Sequence, residues 1–351
     1  MSPGSDRPPV RVTVPRVTLA HGGGGTAMRD LIADVFAGPF DNPMLAPLED
    51  QARASLADLG RHGDRLAITT DGFVVDPLFF PGGDIGWLAV CGTVNDLAVG
   101  GARPLYLSCA VIIEEGLPVD TLRRVSASMR AAADLAGIAI VTGDTKVVQK
   151  GAADQLFVTT TGIGVIPRGI SIAASQLQPG DRILVNDFLG DHGIAILAAR
   201  GDLDFETDLR SDCRPLHGLV DAMLDECPEI RAMRDVTRGG LAAVLNEFAA
   251  ASACVIELDE RALPLRPEVR SAAELLGLDP LYLASEGALA AAVPAAASER
   301  VLAAMHAHPY GANARMIGEV HSGTFRVVMR TAFGGSRVVD MLVGEQLPRI
   351  C

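Results

Sequence analysis

The sequence predicts an α+β fold in two domains with a free C-terminal tail, and three observations predict it. Strand and helix patterns are mixed in both halves, which favours α+β over a doubly wound sheet. The 351 residues exceed what one hydrophobic core usually serves, so two cores are expected. A boundary falls at 167–179, where Pro179-Gly180 precedes a fresh strand. With 49% hydrophobic residues and only 4% aromatic, those cores must be built mainly from Ala, Val, Leu and Ile.

The elements follow in order. An apolar, extended-looking run leads into His21-Gly-Gly-Gly-Gly25. Four successive glycines are costly to order, so the loop is either a floppy linker or a place where backbone closes on a ligand. Residues 65–70 read as a strand that delivers Asp71 and Gly72 at its end, and Gly82-Gly83-Asp84 forms a second glycine loop opening a helix from Ile85. That helix carries Asn95 and Asp96 near its C-terminal end. A strand over 104–113 and an amphipathic helix over 118–136, stopped by Gly137, come next. A strand over 138–146 runs into a polar turn holding Asp144, Thr145 and Lys146, and 154–166 supplies another strand. The second half predicts strands at 181–185, 255–258, 289–293, 314–320 and 325–329. Its helices are expected at 192–200, 215–226, 239–251, 267–276 and 297–308.

Composition narrows the function classes. A net charge of −13 leaves no basic footprint for nucleic acid. The first twenty residues have spread arginines and prolines and no continuous apolar core, so they do not read as a secretory signal. No apolar stretch of membrane-spanning length is free of charges or Pro/Gly interruptions. Six cysteines without a CxxC pair fit a reducing cytosol and argue against zinc. The last of them, Cys351, closes the chain. Chain ends tolerate many residues, so it is either incidental or a thiol with a task. Arg349 favours its thiolate and the neighbouring α-carboxylate opposes it.

Four acidic residues recur beside small residues at strand ends or turns: Asp71, Asp96, Asp144 and Asp235. Separated carboxylates converging from loops suit a hard cation that also binds phosphates, although each alone is an ordinary turn residue. No GxxxxGK[ST] loop is present. Arg238 before Gly239-Gly240 at a helix start offers a guanidinium and free amides to an anion.

These blocks carry a resemblance. HGGGG at 21–25, TDGFVVDPLFFPGGDIG at 70–86, GTVNDLAVGGARP at 92–104, GDTKVV at 143–148, MRDVTRGG at 233–240, SEG at 285–287 and the final PRIC resemble the HypE family of hydrogenase maturation factors. The blocks span nearly the whole chain in family order. Val236 departs from the pattern, which usually has proline there. The resemblance implies the ATP-binding superfamily of aminoimidazole ribonucleotide synthetase, with a PurM-like two-domain α+β fold. It divides the chain into an arm with the Gly-rich loop (1–40), an ATP-binding and dimerisation domain (41–167), a C-terminal α+β domain (168–338) and a mobile tail (339–351). At about 3.3 Å per residue, a tail from Asp340 reaches roughly 40 Å, and Pro348 stiffens its last turn. Implied too are a homodimer in the cytoplasm, HypF as carbamoyl donor to Cys351, and a HypC–HypD complex as cyanide acceptor. The activity would be ATP-dependent dehydration of the carbamoyl group to a thiocyanate, with the cyanide destined for [NiFe] hydrogenase iron. Gly23, Gly24, Asp71, Asp84, Asn95, Asp96, Asp144, Thr145, Asp235 and Arg238 are expected at ATP. Mg²⁺ is expected on Asp71, Asp96, Asp144 and Asp235, and Lys146 and Glu286 are the candidate bases beside Cys351. The runner-up is a small-molecule synthetase or kinase of the same superfamily; a non-catalytic carrier is the rival from another class.

Overall fold

Two β-sheets organise the chain, one in each half. The computed structural model describes residues 11–201, 207–342, 344, 347 and 349–351; Pro348 and the first ten residues of the arm lie outside them. Short helices α1 (Thr26–Leu31) and α2 (Leu56–Leu59) precede β1 (Arg65–Phe73), β2 (Phe79–Phe80), β3 (Gly83–Asp84), α3 (Ile85–Val99), β4 (Arg103–Glu114), α4 (Val119–Ala136), β5 (Ala139–Val148) and β6 (Leu156–Ile166). The first sheet has the order β1-β6-β4-β5, with only β4 and β5 parallel.

The second half runs β7 (Arg182–Val185), α5 (Asp191–Arg200), α6 (His217–Glu226), β8 (Ala232–Asp235), α7 (Gly240–Ser252), β9 (Cys254–Asp259), α8 (Pro267–Leu276), β10 (Leu289–Val293), α9 (Ala295–Ala307), β11 (Arg315–Ser322), β12 (Arg326–Arg330) and β13 (Ser336–Val338). Its sheet has the order β13-β12-β9-β11-β7-β10-β8. β10 is buried at every residue, which is why its sequence, LAAAV, is apolar without alternation.

The helix α3 joins the two halves. Asp84 caps it, its Oδ1 accepting from the amides of Gly86 at 2.8 Å and Trp87 at 3.1 Å. Apolar and small residues surround the helix, and it packs on β1, β6 and α4 on one side and on β8 and α6 on the other. Gly86 permits the close approach to α4, since a Cβ there would lie 2.8 Å from Met129 Cγ. α4 is amphipathic, burying Leu122, Val125 and Met129, and ends at left-handed Gly137 (φ 66°).

Three expectations need correction. β1 runs through Asp71 and Gly72 to Phe73, because its ladder with β6 continues to Val158. β5 likewise continues to Val148, so Asp144 stands inside a strand and not in a turn; pairing with β4 through Glu114 carries it onward. Asp96 lies within α3, leaving Asp235 as the one acidic residue of the four at a strand end. The outer face of β1 leaves Leu66 and Ile68 exposed, Ile68 at 69%.

Candidate active site

The carboxylates divide between two cavities. The smaller, about 50 Å³, lies between the sheets and is lined by Asp71, Asp96, Asp235, Thr237, Arg238, Glu286 and Cys351, with Gly72, Phe73 and Gly92 completing it. Asp71 reaches it from β1 and Asp96 from α3. Thr93 Oγ1 donates to Asp71 Oδ2 at 3.2 Å, and Thr69 Oγ1 to Asp96 Oδ2 at 2.6 Å, which fixes both side chains. Asp235 ends β8. The turn behind it, Thr237 to Gly240, has left-handed Gly239 (φ 79°) and Gly240 (φ 61°). A Cβ on Gly240 would meet the Leu283 carbonyl at 2.8 Å, so this close approach requires glycine. Val236 donates its amide to Ala288 O at 2.9 Å, a bond that proline could not make.

Glu286 is the most confined of these groups, 3% exposed. Its backbone is held on both sides: the amide donates to Asp212 Oδ1 at 3.0 Å, and the carbonyl accepts from Asn95 Nδ2 at 3.3 Å. Its side-chain Oε1 has no hydrogen-bond partner. Burial, then the charges of Asp235, Asp212 and Asp71, push its pKa well above the usual carboxylate value, against the pull of Arg238. The same causes raise its neighbours. Burial and then Asp96 lift Asp71 to about 6; burial, Asp96 and Asp71 lift Asp235 to about 7.

The C-terminal end is seated in this site. Ile350 is buried and Cys351 half-buried. Val74 N donates to Cys351 O at 3.1 Å and Asp76 N to Arg349 O at 3.2 Å. Arg200 Nη2 donates to Arg349 O at 2.6 Å, and His192 Nε2 bonds to Ile350 O at 2.6 Å. The Arg349 side chain donates to Val74 O at 3.1 Å and pairs with Asp154.

The larger cavity, about 630 Å³, sits under α1 and the segment that follows it. Gly24, Gly25, Asp144 and Thr145 line it together with apolar Met28, Ile32, Phe36, Cys109 and Val111. The Gly-rich loop packs on β5, where a Cβ on Gly22 would lie 2.9 Å from Val147 Cβ. Gly23 is not among the lining residues. Asp144 and Lys146 are exposed and paired to each other at 3.0 Å. β1 and β5 are opposite edges of the first sheet, about 14 Å apart across three strand spacings.

Of the residues singled out in the sequence, the structure thus brings together Asp71, Asp96, Asp235, Arg238, Glu286 and Cys351. It sets Gly24, Asp144 and Thr145 at the other cavity, and Lys146 next to Asp144 and outside the lining of the Cys351 cavity. Asp84 serves as a helix cap. Asn95 is consumed by backbone, donating to Arg214 O at 3.0 Å and Glu286 O and accepting from Leu216 N at 2.7 Å. The four-Asp cation cluster is not assembled: among the described residues no three His, Cys, Asp or Glu stand close enough to hold a metal ion. Sequence reasoning missed His192, Arg200 and Asp212. His192 opens a helix after Gly190-Asp191, an ordinary context that carries no signal of its partner 158 residues away.

Comparison with known proteins agrees with this architecture. Residues 49–166 match the family model for the N-terminal domain of AIR synthase related proteins, and 178–330 match that for the C-terminal domain. The carbamoyl dehydratase HypE of Rhodobacter capsulatus is 59% identical over 339 residues, 96% of this chain and 98% of the relative. A crystal structure of the hydrogenase maturation protein HypE in complex with ATP superposes with a TM-score of 0.90 at 49% identity, covering 95% of this chain and 99% of that one. A HypE chain in a HypE–HypF complex superposes at 0.77 with 45% identity, covering 89% and 99%.

Proposed function

The chain belongs to the HypE family of carbamoyl dehydratases, and from that premise we propose how its own residues perform the reaction. It is an ATP-dependent enzyme of hydrogenase maturation whose substrate is a carbamoyl group on its last cysteine. The small-molecule synthetase or kinase reading is not favoured. The observation that carries our reading is that Cys351 lines the same small cavity as buried Glu286, whose Oε1 has no hydrogen-bond partner.

Dehydration needs the carbamoyl oxygen converted into a leaving group. That oxygen attacks the γ-phosphorus of ATP, ADP departs, one of the two N–H protons is released to solvent, and an imidate phosphate forms on the sulfur-bound carbon. Loss of phosphate together with the remaining N–H proton then leaves S–C≡N. A base must receive that proton in a site closed to water, and Glu286 has the two required properties: a raised pKa with a defined cause, and an oxygen with no competing partner. Arg238 balances phosphate charge at the same cavity. Confining the tail makes the attack effectively intramolecular.

Asp71, Asp96 and Asp235 present hard oxygens whose mutual repulsion calls for a cation, and Mg²⁺ usually takes one or two carboxylates with phosphate oxygens supplying the rest. With no group of three among the described residues placed to hold the ion by itself, one or two of these carboxylates would hold it together with the phosphates of ATP, and it would neutralise phosphate charge when bound. Gly24, Asp144 and Thr145 line a mostly apolar cavity of a size suited to the nucleoside. The exposed apolar face of β1, with Leu66 and Ile68, supports a homodimer, and a second copy offers a way to bring sheet-edge half-sites together. HypF as carbamoyl donor has the support of the HypE–HypF complex of a relative. HypC–HypD as cyanide acceptor and a cytoplasmic location remain inferences from the family; no described helix is long and apolar enough to cross a membrane.

The test is mass spectrometry of the C-terminal peptide after carbamoylated enzyme meets ATP. Loss of one water from the Cys351 peptide, with ADP and phosphate released, is expected; an unchanged peptide mass would overturn the mechanism.

A further inference from the structure

Each carbonyl of the last three residues is held by a different donor. Those of Arg349 and Cys351 accept from the amides of Asp76 and Val74, two residues apart on the segment that follows β1. The Ile350 carbonyl between them faces α5, where His192 Nε2 stands 2.6 Å away. A carbonyl only accepts, so Nε2 carries the proton. The other ring nitrogen, Nδ1, lies 2.8 Å from Ser211 Oγ, and that hydroxyl oxygen already accepts the Cys213 amide at 3.1 Å. The Ser211 hydrogen is therefore free to point at Nδ1, and the Nε2–H tautomer is the one that satisfies every partner. The ring packs edge-on against Phe80 at 5.6 Å between centroids, and burial holds it neutral, its pKa pushed down to about 4.

From this geometry we infer that His192 is a positioning residue for the reaction at Cys351: with Ser211 fixing its tautomer, it sets the register of the tail in the site. Contacts to main-chain carbonyls do not read side chains. They read position along the chain, and a slip of one residue moves the sulfur by about 3.3–3.6 Å. That displacement is most of the width of a cavity of about 50 Å³, so a slipped tail would carry the sulfur away from Glu286. Val74 and Asp76 cannot exclude a slip alone, because backbone amides accept any residue as partner. Two side-chain donors of α5 add a second reference: Arg200, which meets the Arg349 carbonyl at 2.6 Å at the partly exposed end of the helix, and His192, the fully buried one, which meets the Ile350 carbonyl.

The inference rests on Cys351 being the carried substrate, but its first test requires neither carbamoyl group nor ATP. Full-length protein is labelled with iodoacetamide, and the rate at Cys351 is read by mass spectrometry against the buried Cys91 and Cys213. Labelling of a seated thiol follows the population of the unseated tail. His192→Leu keeps apolar bulk and removes the donor; His192→Gln restores an N–H near Nε2. Labelling about tenfold faster for His192→Leu, with His192→Gln within about threefold of the parent, is the expected result for one buried hydrogen bond. Equal rates for His192→Leu and the parent, or equal acceleration in both variants, overturn the inference. Should Cys91 label as well in His192→Leu, its fold is lost, and Ser211→Ala decides: faster Cys351 labelling with Cys91 protected supports the tautomer argument, and a parental rate overturns it. In carbamoylated protein, single-turnover dehydration should fall with His192→Leu and recover with His192→Gln. If labelling responds as described and no variant or parent dehydrates, the seat stands and the proposed chemistry falls.

Discussion

Asp235→Asn should make the ligand-free protein more stable and less active. Burial first, then the charges of Asp96 and Asp71, raise Asp235 from 3.8 to about 7. The folded-state pKa thus lies above the unfolded one, so between about pH 4 and pH 7 the folded protein keeps a proton that the unfolded chain has released. Stability from this group is full below about pH 4 and is lost as pH rises through 7. A shift of about 3 units at 1.36 kcal/mol each gives about 4 kcal/mol at about pH 8. This is an upper limit, because Asp71, itself raised to about 6, shares the repulsion. The amide keeps the size and removes the charge. Differential scanning calorimetry from about pH 4.5 to 8.5 should show the variant melting several degrees above the parent at the alkaline end, at about 1–2 °C per kcal/mol, with the gap closing towards the acidic end. Mg²⁺ with ATP should raise the melting temperature of the parent more than that of the variant, since ligand binding stabilises by mass action. A variant less stable than the parent at about pH 8, or one with the same advantage at every pH, would refute the reasoning.

Three further outcomes follow from the same site. Glu286→Gln should slow dehydration by about 100-fold or more while the carbamoyl group stays on Cys351, as read from the mass of the C-terminal peptide; a parental rate would remove Glu286 as the base. Asn95→Ala strands two carbonyls, that of Glu286 buried and that of Arg214 partly so, and one buried amide and should cost about 3 kcal/mol, seen as a lower urea midpoint at unchanged slope. Ile68→Asp, at an exposed position on the outer face of β1, should shift sedimentation to that of a single chain if two copies meet there, and a parental sedimentation coefficient would exclude that face.

Local pattern was enough for the elements that form by local rules. α8 falls where proline starts it and glycine ends it, at Pro267–Leu276, and the apolar run at Leu289–Val293 is a central strand. Strand ends were less legible, because a ladder partner decides them. β1 extends through Asp71 on account of β6, and β5 through Asp144 on account of β4, and neither partner is visible in the residues extended. β8 escaped notice for the same reason: Ala232–Asp235 is four residues long with a charged residue inside, and it is a strand because β10 lies beside it.

The site shows the same limit at longer range. Aspartates beside small residues flagged Asp71, Asp96, Asp144 and Asp235 alike, but which of them meet depends on strand order. β1-β6-β4-β5 puts Asp71 and Asp144 at opposite edges, whereas α3 and β8, packed together between the sheets, bring Asp96 and Asp235 to Asp71. Glu286 acquires its chemistry from this convergence. On a solvated loop its carboxyl would titrate as an ordinary glutamate. Here Asn95 from the first domain and Asp212 from the second hold its backbone, and burial, then the other carboxylates, raise its pKa. Cys351, which lines the same cavity, arrives from the far end of the chain, so the proposed base and the tail cysteine share a site only when both domains and the tail are in place. Opening either contact would return Glu286 to water and lower its pKa before the proton could be taken, which couples the chemistry to a closed, loaded state.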